Sequence, residues 1–312
     1  MTRSVPVVGR SASRRASQAG FSAALGFAVS NPSLLVRLRP SLDAMIARMS
    51  PVVPGTEVVP ARLPLGGEWV RGPGVGVPVR GEGPVILVLH GSGYVACSAR
   101  THRGFASHLS THSGILALTV NYRLAPESPF PAAEDDSFAA YRWLLDRGYD
   151  PAKIVIAGDS AGGHLAVAVA LRAKRGGVPG PAALSLFGPL IDPAFRASSA
   201  DPRSRKQPLD PKLAARALSI YVGDHDVDDP RLCLLNADLS ELPPIDLHYG
   251  SRELMRADAE AFAAKVIAAG GHCDTRMWPG LMHGYWLRPL DERRGLTSLM
   301  TAGQFLKERV AA

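Results

Sequence analysis

The sequence has little cysteine, few aromatic residues and no long apolar run. The cysteines are odd in number and form no CxxC pair, which argues for buried small side chains rather than a disulfide framework or a metal site; they are Cys97, Cys233 and Cys273. No apolar stretch approaches the roughly 18 residues that a membrane-spanning helix needs, and no GxxxxGK phosphate-binding loop is present. With 312 residues, 46% hydrophobic and 20% charged, the composition is typical of a globular chain with one large α/β domain or two small ones.

Acidic residues are scarce near the N-terminus. Residues 1–50 hold seven arginines against Asp43 alone, and so account for +6 of the net charge of +7. These arginines are not interleaved with aromatic residues, so we predict no nucleic-acid partner. Arg14-Arg15 followed by the weak apolar stretch 21–29 leaves an export signal as an alternative. Helical spacing of the apolar residues over 34–49, interrupted at Pro40, favours two short amphipathic helices and a cytoplasmic protein.

Hydrophobic runs alternate with helical patterns along most of the chain. Strands are predicted at 84–91, 115–122, 153–159, 182–190 and, more weakly, 243–250, and helices at 133–147, 161–175, 255–269 and 297–309. This alternation predicts a mostly parallel sheet covered on both faces. The segments 56–72 and 76–80 are expected to form an antiparallel pair at one edge. Residues 193–235 form a polar insertion with one helix near 210–221, and such a long insertion usually serves function.

One pentapeptide has the pattern of a nucleophile elbow. Ser160 stands between Gly158 and Gly162 in GDSAG, where a predicted strand meets a predicted helix. A serine hydroxyl of ordinary pKa is a weak nucleophile and must be held on a sharp turn beside a base, where only small neighbours fit. Asp159 and Ala161 complete the motif. We therefore predict that Ser160 is a nucleophile.

A glycine-rich loop follows the first buried strand, with the sequence His90-Gly91-Ser92-Gly93-Tyr94. Acyl transfer develops negative charge on a carbonyl oxygen, which fixed backbone N–H groups stabilise. This loop can supply such donors together with the N–H of Ala161, and His90 is expected to brace it. A dinucleotide-binding loop is the rival interpretation, but the spacing of Gly91, Gly93 and Ala96 matches that fingerprint only loosely.

A base and an acid are expected after the last two strands. Among nine histidines, His283 follows a strand that ends near Trp278 and a Pro-Gly turn, so it can reach the elbow. The acid should follow the strand 243–250, where Glu253 and Asp258 are the candidates. We favour Glu253, three residues after Gly250, because Asp258 is expected inside the next helix.

These motifs, in this order, resemble those of the bacterial hormone-sensitive-lipase-like esterases (family IV) of the α/β-hydrolase superfamily. The resemblance covers roughly residues 55–310 and rests on HGSGY (90–94), YRLAPE (122–127) with FPAA (130–133), GDSAGG (158–163) and the acid and histidine loops. It implies an α/β-hydrolase fold with a mostly parallel sheet of about eight strands. It also implies a catalytic domain at 56–312 and a helical cap. The cap is expected to consist of residues 1–55 and of an insertion into the catalytic domain at about 193–235.

The resemblance assigns the oxyanion donors to the backbone N–H groups of Ser92, Gly93 and Ala161. Two residues depart from the family pattern. Ser92 replaces a glycine, and its side chain is expected to narrow or polarise the pocket. Glu253 stands where the family usually has aspartate, although some relatives use glutamate.

The function implied is that of a serine carboxylesterase acting on short- to medium-chain esters with Ser160, His283 and Glu253, without cofactor or metal. A small-molecule ester is the expected partner, and a homodimer is an open possibility. An amidase or deacetylase with the same triad is one alternative. A non-catalytic small-molecule receptor on this fold is another, which the presence of His283 argues against.

Overall fold

The computed structural model describes residues 31–77, 81–203, 211–288 and 293–311. Eight strands form one sheet in the order β1-β2-β4-β3-β5-β6-β7-β8. Their bounds are β1 Glu57–Pro60, β2 Gly67–Arg71, β3 Val85–Leu89, β4 Leu116–Val120, β5 Ile154–Asp159, β6 Ala183–Phe187, β7 Ile245–Gly250 and β8 Cys273–Trp278. The pairs β1–β2 and β2–β4 are antiparallel, and all other neighbours are parallel.

Helices cover both faces of this sheet. They are α1 Pro32–Met49, α2 Arg103–Ser113, α3 Ala132–Leu145, α4 Ala161–Arg175, α5 Arg196–Ala200, α6 Pro211–Val222, α7 Arg256–Ala268 and α8 Arg293–Val310. Every residue of β3 is buried, because successive side chains of a strand point to opposite faces and both faces are covered. Leu87 contributes to the core on one face, and Ile86 and Val88 to the core on the other. Parallel strands place their carboxyl ends at one edge of the sheet, where ligand sites of such folds form.

The predicted fold class is confirmed, and the five hydrophobic runs predicted as strands are β3 to β7. Two local predictions were wrong. The antiparallel pair lies within residues 57–71, while 76 and 77 are not in a strand and 78–80 lie outside the described residues. The two short N-terminal helices are one helix, α1, which continues through Pro40. A proline inside a helix removes one hydrogen bond, and tertiary contacts of α1 outweigh that loss here.

The structure adds a helix that the pattern of the sequence did not suggest. Helix α2 carries serine, threonine and histidine at positions that are nevertheless buried, such as Ser107 and His108. Ser107 Oγ donates to the carbonyl of Gly104, so the hydroxyl is satisfied within the helix. Its polar composition hides the apolar face on which helix prediction depends.

Among the described residues, no helix combines the length and the hydropathy needed to cross a bilayer. The export-signal interpretation concerns residues 14–30, which lie outside the described part of the chain. The three cysteines, all within it, are free and buried, as predicted.

We predict that Gly303→Ala destabilises the fold although alanine favours a helix by about 1 kcal/mol. Helix α8 crosses α2 so closely that a Cβ at Gly303 would lie 2.6 Å from His112 Cβ and 3.0 Å from Ser113 N. Such overpacking costs about 1–3 kcal/mol. Urea unfolding measures the change, with Met300→Ala on the exposed side of α8 as the control. An unchanged or higher free energy of unfolding for Gly303→Ala would contradict this close crossing.

Candidate active site

Ser160 lies on a sharp turn between β5 and α4. Its φ of +53° and ψ of −119° are strained for an L residue and raise the side chain above the end of the sheet. A Cβ at Gly158 would lie 2.2 Å from the carbonyl oxygen of Gly162, and a Cβ at Gly162 would lie 2.0 Å from that of Leu89. Both glycines of the GxSxG motif are therefore required because a side chain does not fit at either position, and not because the backbone must be flexible there.

The HGSGY loop lies beside this elbow. Gly91 N–H donates to Asp159 Oδ1 at 2.9 Å, and a Cβ at Gly91 would lie 2.4 Å from Asp159 Oδ2. Ser92 has a φ of +91°, a conformation that favours glycine. Its hydroxyl donates to the carbonyl oxygen of Ala96 at 2.5 Å. The hydroxyl is thus used inside its own turn, and the expectation that the Ser92 side chain narrows or polarises the pocket stays a prediction.

The carboxylate of Asp159 joins the loops around the elbow. Besides Gly91, it contacts His102 Nε2 at 3.0 Å through Oδ1 and accepts from Trp286 Nε1 at 2.9 Å through Oδ2. Burial raises the pKa of Asp159, but the neighbouring His102 and the hydrogen bonds from His102 and Trp286 outweigh burial and hold the pKa below its ordinary value. Sequence reasoning named Asp159 only as part of the motif and missed His102 and Trp286, whose roles depend on long-range contacts.

His283 and Glu253 form a direct contact. His283 Nδ1 lies 2.6 Å from Glu253 Oε1, and Gly250 N–H donates to Glu253 Oε2 at 2.9 Å. A Cβ at Gly188, which has a φ of +47°, would lie 1.9 Å from Glu253 Oε1. The carboxylate is thus enclosed by the ends of β6 and β7, with both oxygens engaged.

Electrostatic interactions favour a proton on His283. Burial lowers the pKa of His283, but the charge of Glu253 and the hydrogen bond to it raise the pKa more, with a smaller contribution from Asp159. The pKa therefore lies above the ordinary 6.5. The ring is 36% exposed on its open side, where a substrate can approach.

Trp286 connects His283 to the elbow. Its ring packs edge-on against Trp286, with centroids 5.0 Å apart, and Trp286 is bonded to Asp159, the residue before Ser160. No hydrogen bond joins Ser160 Oγ to His283, both of which the structure describes. Such bonds are often long before substrate binds.

The other carboxylates near the acid position have different partners. Asp258, the second candidate, lies in α7 and accepts a hydrogen bond from Ser198 Oγ at 2.5 Å, which ties α7 to α5. Burial raises the pKa of Asp258 to about 6, although the Ser198 hydrogen bond opposes this. Asp246, inside β7, contacts His248 and Arg276.

A buried network of polar side chains supports the loop that carries His283. Tyr285 Oη and Ser298 Oγ are 2.8 Å apart, and Ser298 Oγ lies 2.8 Å from His248 Nδ1. His248 Nε2 in turn lies 2.6 Å from Asp246. This Asp-His-Ser arrangement is fully buried, so it supports the loop and is closed to substrate. The sequence carried no local signal for it.

The remaining histidines near the site are packing residues. His90 stacks on Tyr122 with ring centroids 4.0 Å apart, and burial lowers the pKa of His90 to about 3. Tyr122 Oη donates to the carbonyl oxygen of His90 at 2.6 Å, so Tyr122 holds the start of the loop. His164 lies inside α4 and is buried, and burial lowers its pKa to about 4.

Two segments outside the sheet border the glycine-rich loop. Leu218 of α6 would lie 3.6 Å from a Cβ at Gly93, and Tyr221 stacks on Tyr94 with centroids 3.8 Å apart. Arg39 of α1 also reaches this loop, where its Nε donates to the carbonyl oxygen of Val95 at 2.7 Å. These helices belong to the two segments expected to form a cap.

Comparison with known proteins defines the class. The family model described as "alpha/beta hydrolase fold" matches residues 86–287. An acetyl-hydrolase of Streptomyces hygroscopicus is 36% identical over 242 residues, which are 77% of this chain and 79% of that protein. The carboxylesterase/phospholipase LipF of Mycobacterium tuberculosis is 35% identical over 255 residues, 78% of this chain and 67% of LipF.

A solved structure, described as an esterase from the bacterial hormone-sensitive lipase family, superposes with a TM-score of 0.82 at 30% identity. The match covers 99% of this chain and all of that one. The chain therefore belongs to the hormone-sensitive-lipase-like esterases of the α/β-hydrolase superfamily. It is a carboxylic ester hydrolase.

The contacts predict different responses of the two candidate acids to amidation. Glu253→Gln should lower kcat by at least about 10²-fold with little change in KM, because loss of the orienting carboxylate of a serine triad can cost about 10⁴-fold. Asp258→Asn should stay within about tenfold, because Asp258 contacts Ser198 and not His283.

Steady-state kinetics on one chromogenic ester measure both variants, and melting temperatures show whether each is folded. The reverse order of effects in folded variants would make Asp258 the acid.

Proposed function

We propose that the chain is a serine carboxylesterase for short- to medium-chain esters, with Ser160 as nucleophile, His283 as base and Glu253 as the acid that orients it. The observation that carries this proposal is the 2.6 Å contact of His283 Nδ1 with Glu253, next to the strained Ser160 elbow. An ionised carboxylate only accepts hydrogen bonds, so the proton of a neutral His283 sits on Nδ1 and leaves the lone pair on Nε2 to accept the serine proton.

Acylation then follows from this geometry. Ser160 Oγ attacks the ester carbonyl while His283 Nε2 takes the hydroxyl proton. The carbonyl oxygen becomes an anion that receives hydrogen bonds from the N–H groups of Ser92, Gly93 and Ala161. The C–O bond to the alcohol breaks, and His283 returns its proton to the leaving alkoxide. The product alcohol departs, and the acyl group stays on Ser160.

Deacylation repeats these steps with water. His283 takes a proton from water, whose oxygen attacks the acyl carbon, and the oxyanion forms at the same place. Collapse expels Ser160 Oγ, which regains a proton from His283, and the carboxylic acid leaves. Throughout, Glu253 stabilises the imidazolium, and Gly250 N–H holds Glu253 in place.

The proposed cap consists of α1, from segment 1–55, and of the helices α5 and α6 of the insertion 193–235. Leu218 and the Tyr94–Tyr221 stack border the loop that would bind the oxyanion. The acetyl-hydrolase relative supports a preference for small acyl groups. The cytoplasmic location stays a prediction, and the homodimer stays an open possibility.

Ser160→Ala should lower ester turnover by at least about 10³-fold in a folded protein, because it removes the hydroxyl on which the proposed acyl-enzyme forms. The assay uses p-nitrophenyl esters from acetate to dodecanoate, with p-nitroacetanilide alongside. Ser219→Ala, on the exposed face of α6, is the matched control.

We expect kcat/KM to be highest for the shorter esters and negligible for the anilide. Retained turnover in a verified Ser160→Ala protein would reject the proposal. A preference for the anilide would instead indicate an amidase with the same residues.

The pH profile tests the His283–Glu253 pair. His283 must be neutral to accept the serine proton, so kcat/KM should fall as the pH drops through its pKa, and the midpoint should lie above 6.5. Glu253 raises that pKa, so the midpoint in Glu253→Gln should move to lower pH. Asp258→Asn should leave the midpoint unchanged. This result would show that the midpoint does not report the Asp258 carboxyl, whose pKa is raised to about 6. An identical midpoint in wild type and Glu253→Gln would contradict the coupling.

A further inference from the structure

The turn that carries the proposed oxyanion donors is strained. Left-handed φ angles of +91°, +63°, +64° and +69° occur at Ser92, Gly93, Tyr94 and Cys97. Three of these residues are not glycine, and such a backbone persists only where its surroundings over-determine it. Within the turn, Ser92 Oγ donates to the carbonyl oxygen of Ala96, and Val95 N–H donates to that of Ser92 at 3.3 Å. These two bonds close the turn but do not determine its position relative to Ser160.

One arginine outside the turn contacts it at the centre. Arg39 Nε donates to the carbonyl oxygen of Val95 at 2.7 Å, and Nη2 donates to that of Ala125. The outer edge of the guanidinium binds both carboxylate oxygens of Glu127, at 2.6 and 2.8 Å. The Arg39 side chain is only 17% exposed, so solvent competes weakly for these donors.

The segment that Arg39 binds is itself bonded to the turn. Ala125 N–H donates to the carbonyl oxygen of Tyr94 at 2.9 Å. Arg39 therefore bonds both the turn and the segment that supports it, while Glu127 orients the guanidinium. Arginine suits this position because its planar fork offers five donors in fixed directions, whereas a lysine ammonium is a single compact charge.

We infer that Arg39 is a positioning residue for ester hydrolysis, which holds the turn 92–97 so that the N–H groups of Ser92 and Gly93 face the acyl oxygen. The inference rests on the proposed function, because it concerns the oxyanion donors of that mechanism. It makes the N-terminal helix α1 part of the catalytic framework as well as a cover over the site. A donor displaced by about 1 Å can cost up to about 10²-fold in rate.

A purely structural role for Arg39, docking α1 onto the protein, predicts something different. Helix α1 has a second polar contact with the same loop, in which Ser98 Oγ donates to Asp43 Oδ2 at 2.5 Å. Asp43 lies one helical turn after Arg39 and bonds Ser98, the residue after the turn, instead of Val95 or Ala125. Asp43→Ala is therefore a matched control, since it loosens the same helix without releasing the strained turn.

The test compares Arg39→Met, which keeps the aliphatic stem, with Asp43→Ala and wild type. The full-length proteins are assayed with p-nitrophenyl acetate and inhibited with an aryl trifluoromethyl ketone, whose adduct with the nucleophile carries an oxyanion. For Arg39→Met we expect kcat to fall about 10- to 100-fold, KM to change less than about threefold, and ketone affinity to fall in parallel with kcat. Asp43→Ala should lose less than about threefold in kcat.

Arg39→Lys and Glu127→Gln complete the test, and Glu127→Gln carries it if Arg39→Met does not fold. Lysine should fail to restore kcat, because it lacks the fork. Glu127→Gln should lower kcat and ketone affinity together by a smaller factor. Equal losses of kcat in Asp43→Ala and Arg39→Met would overturn the inference. The inference would also be overturned if Arg39→Met changed KM but not kcat, or if ketone affinity were unchanged in both the Arg39 and Glu127 variants. Ser160→Ala in the same assay reports on the proposed function alone, since its retained turnover would reject that function whatever Arg39 does.

Discussion

The contacts of the buried Asp159 carboxylate hold the loops of the site together. Asp159 lies directly before Ser160 and binds the N–H of Gly91, the ring of His102 and the indole of Trp286. Through these three partners, one side chain sets the distance between the elbow, the glycine-rich loop and the loop of His283. A buried charge is stable only when its hydrogen-bonding capacity is met, so the three loops and the carboxylate require one another.

Close backbone contacts impose a second constraint. The strand ends approach until Cβ atoms no longer fit, at 2.2 Å for Gly158 and 1.9 Å for Gly188. Gly158 allows α4 to begin directly above β5, and Gly188 leaves the room that Glu253 occupies. The glycines of the family motif are therefore needed because atoms at the carboxyl edge of the sheet leave no space for a side chain. The same crowding keeps the proposed acid and base in one arrangement, which favours catalysis by pre-organisation.

The segments outside the sheet connect the site to the rest of the chain. Leu218 and Tyr221 of α6 pack on the glycine-rich loop, and Arg39 of α1 binds it as well. The proposed oxyanion turn therefore contacts two segments that are far apart in sequence. Changes in either helix are transmitted to the turn through direct contacts, so the proposed cap and the catalytic geometry are linked physically.

Local patterns in the sequence were enough to predict the strands from β3 to β7, the elbow at Ser160, and Glu253 as the favoured acid. These features depend on local pattern: hydrophobic runs, small residues around a turn, and the distance of a side chain from a strand end. The continuity of α1 through Pro40 and the polar helix α2 did not follow from it, because tertiary packing overrides local propensity there. The partners of Asp159, the buried support under Tyr285 and the contacts of Arg39 became known only from the folded arrangement of the chain. Apart from the His248–Asp246 contact, these contacts join residues more than ten positions apart, and hydrogen bonds between distant residues leave no periodic trace in a single sequence.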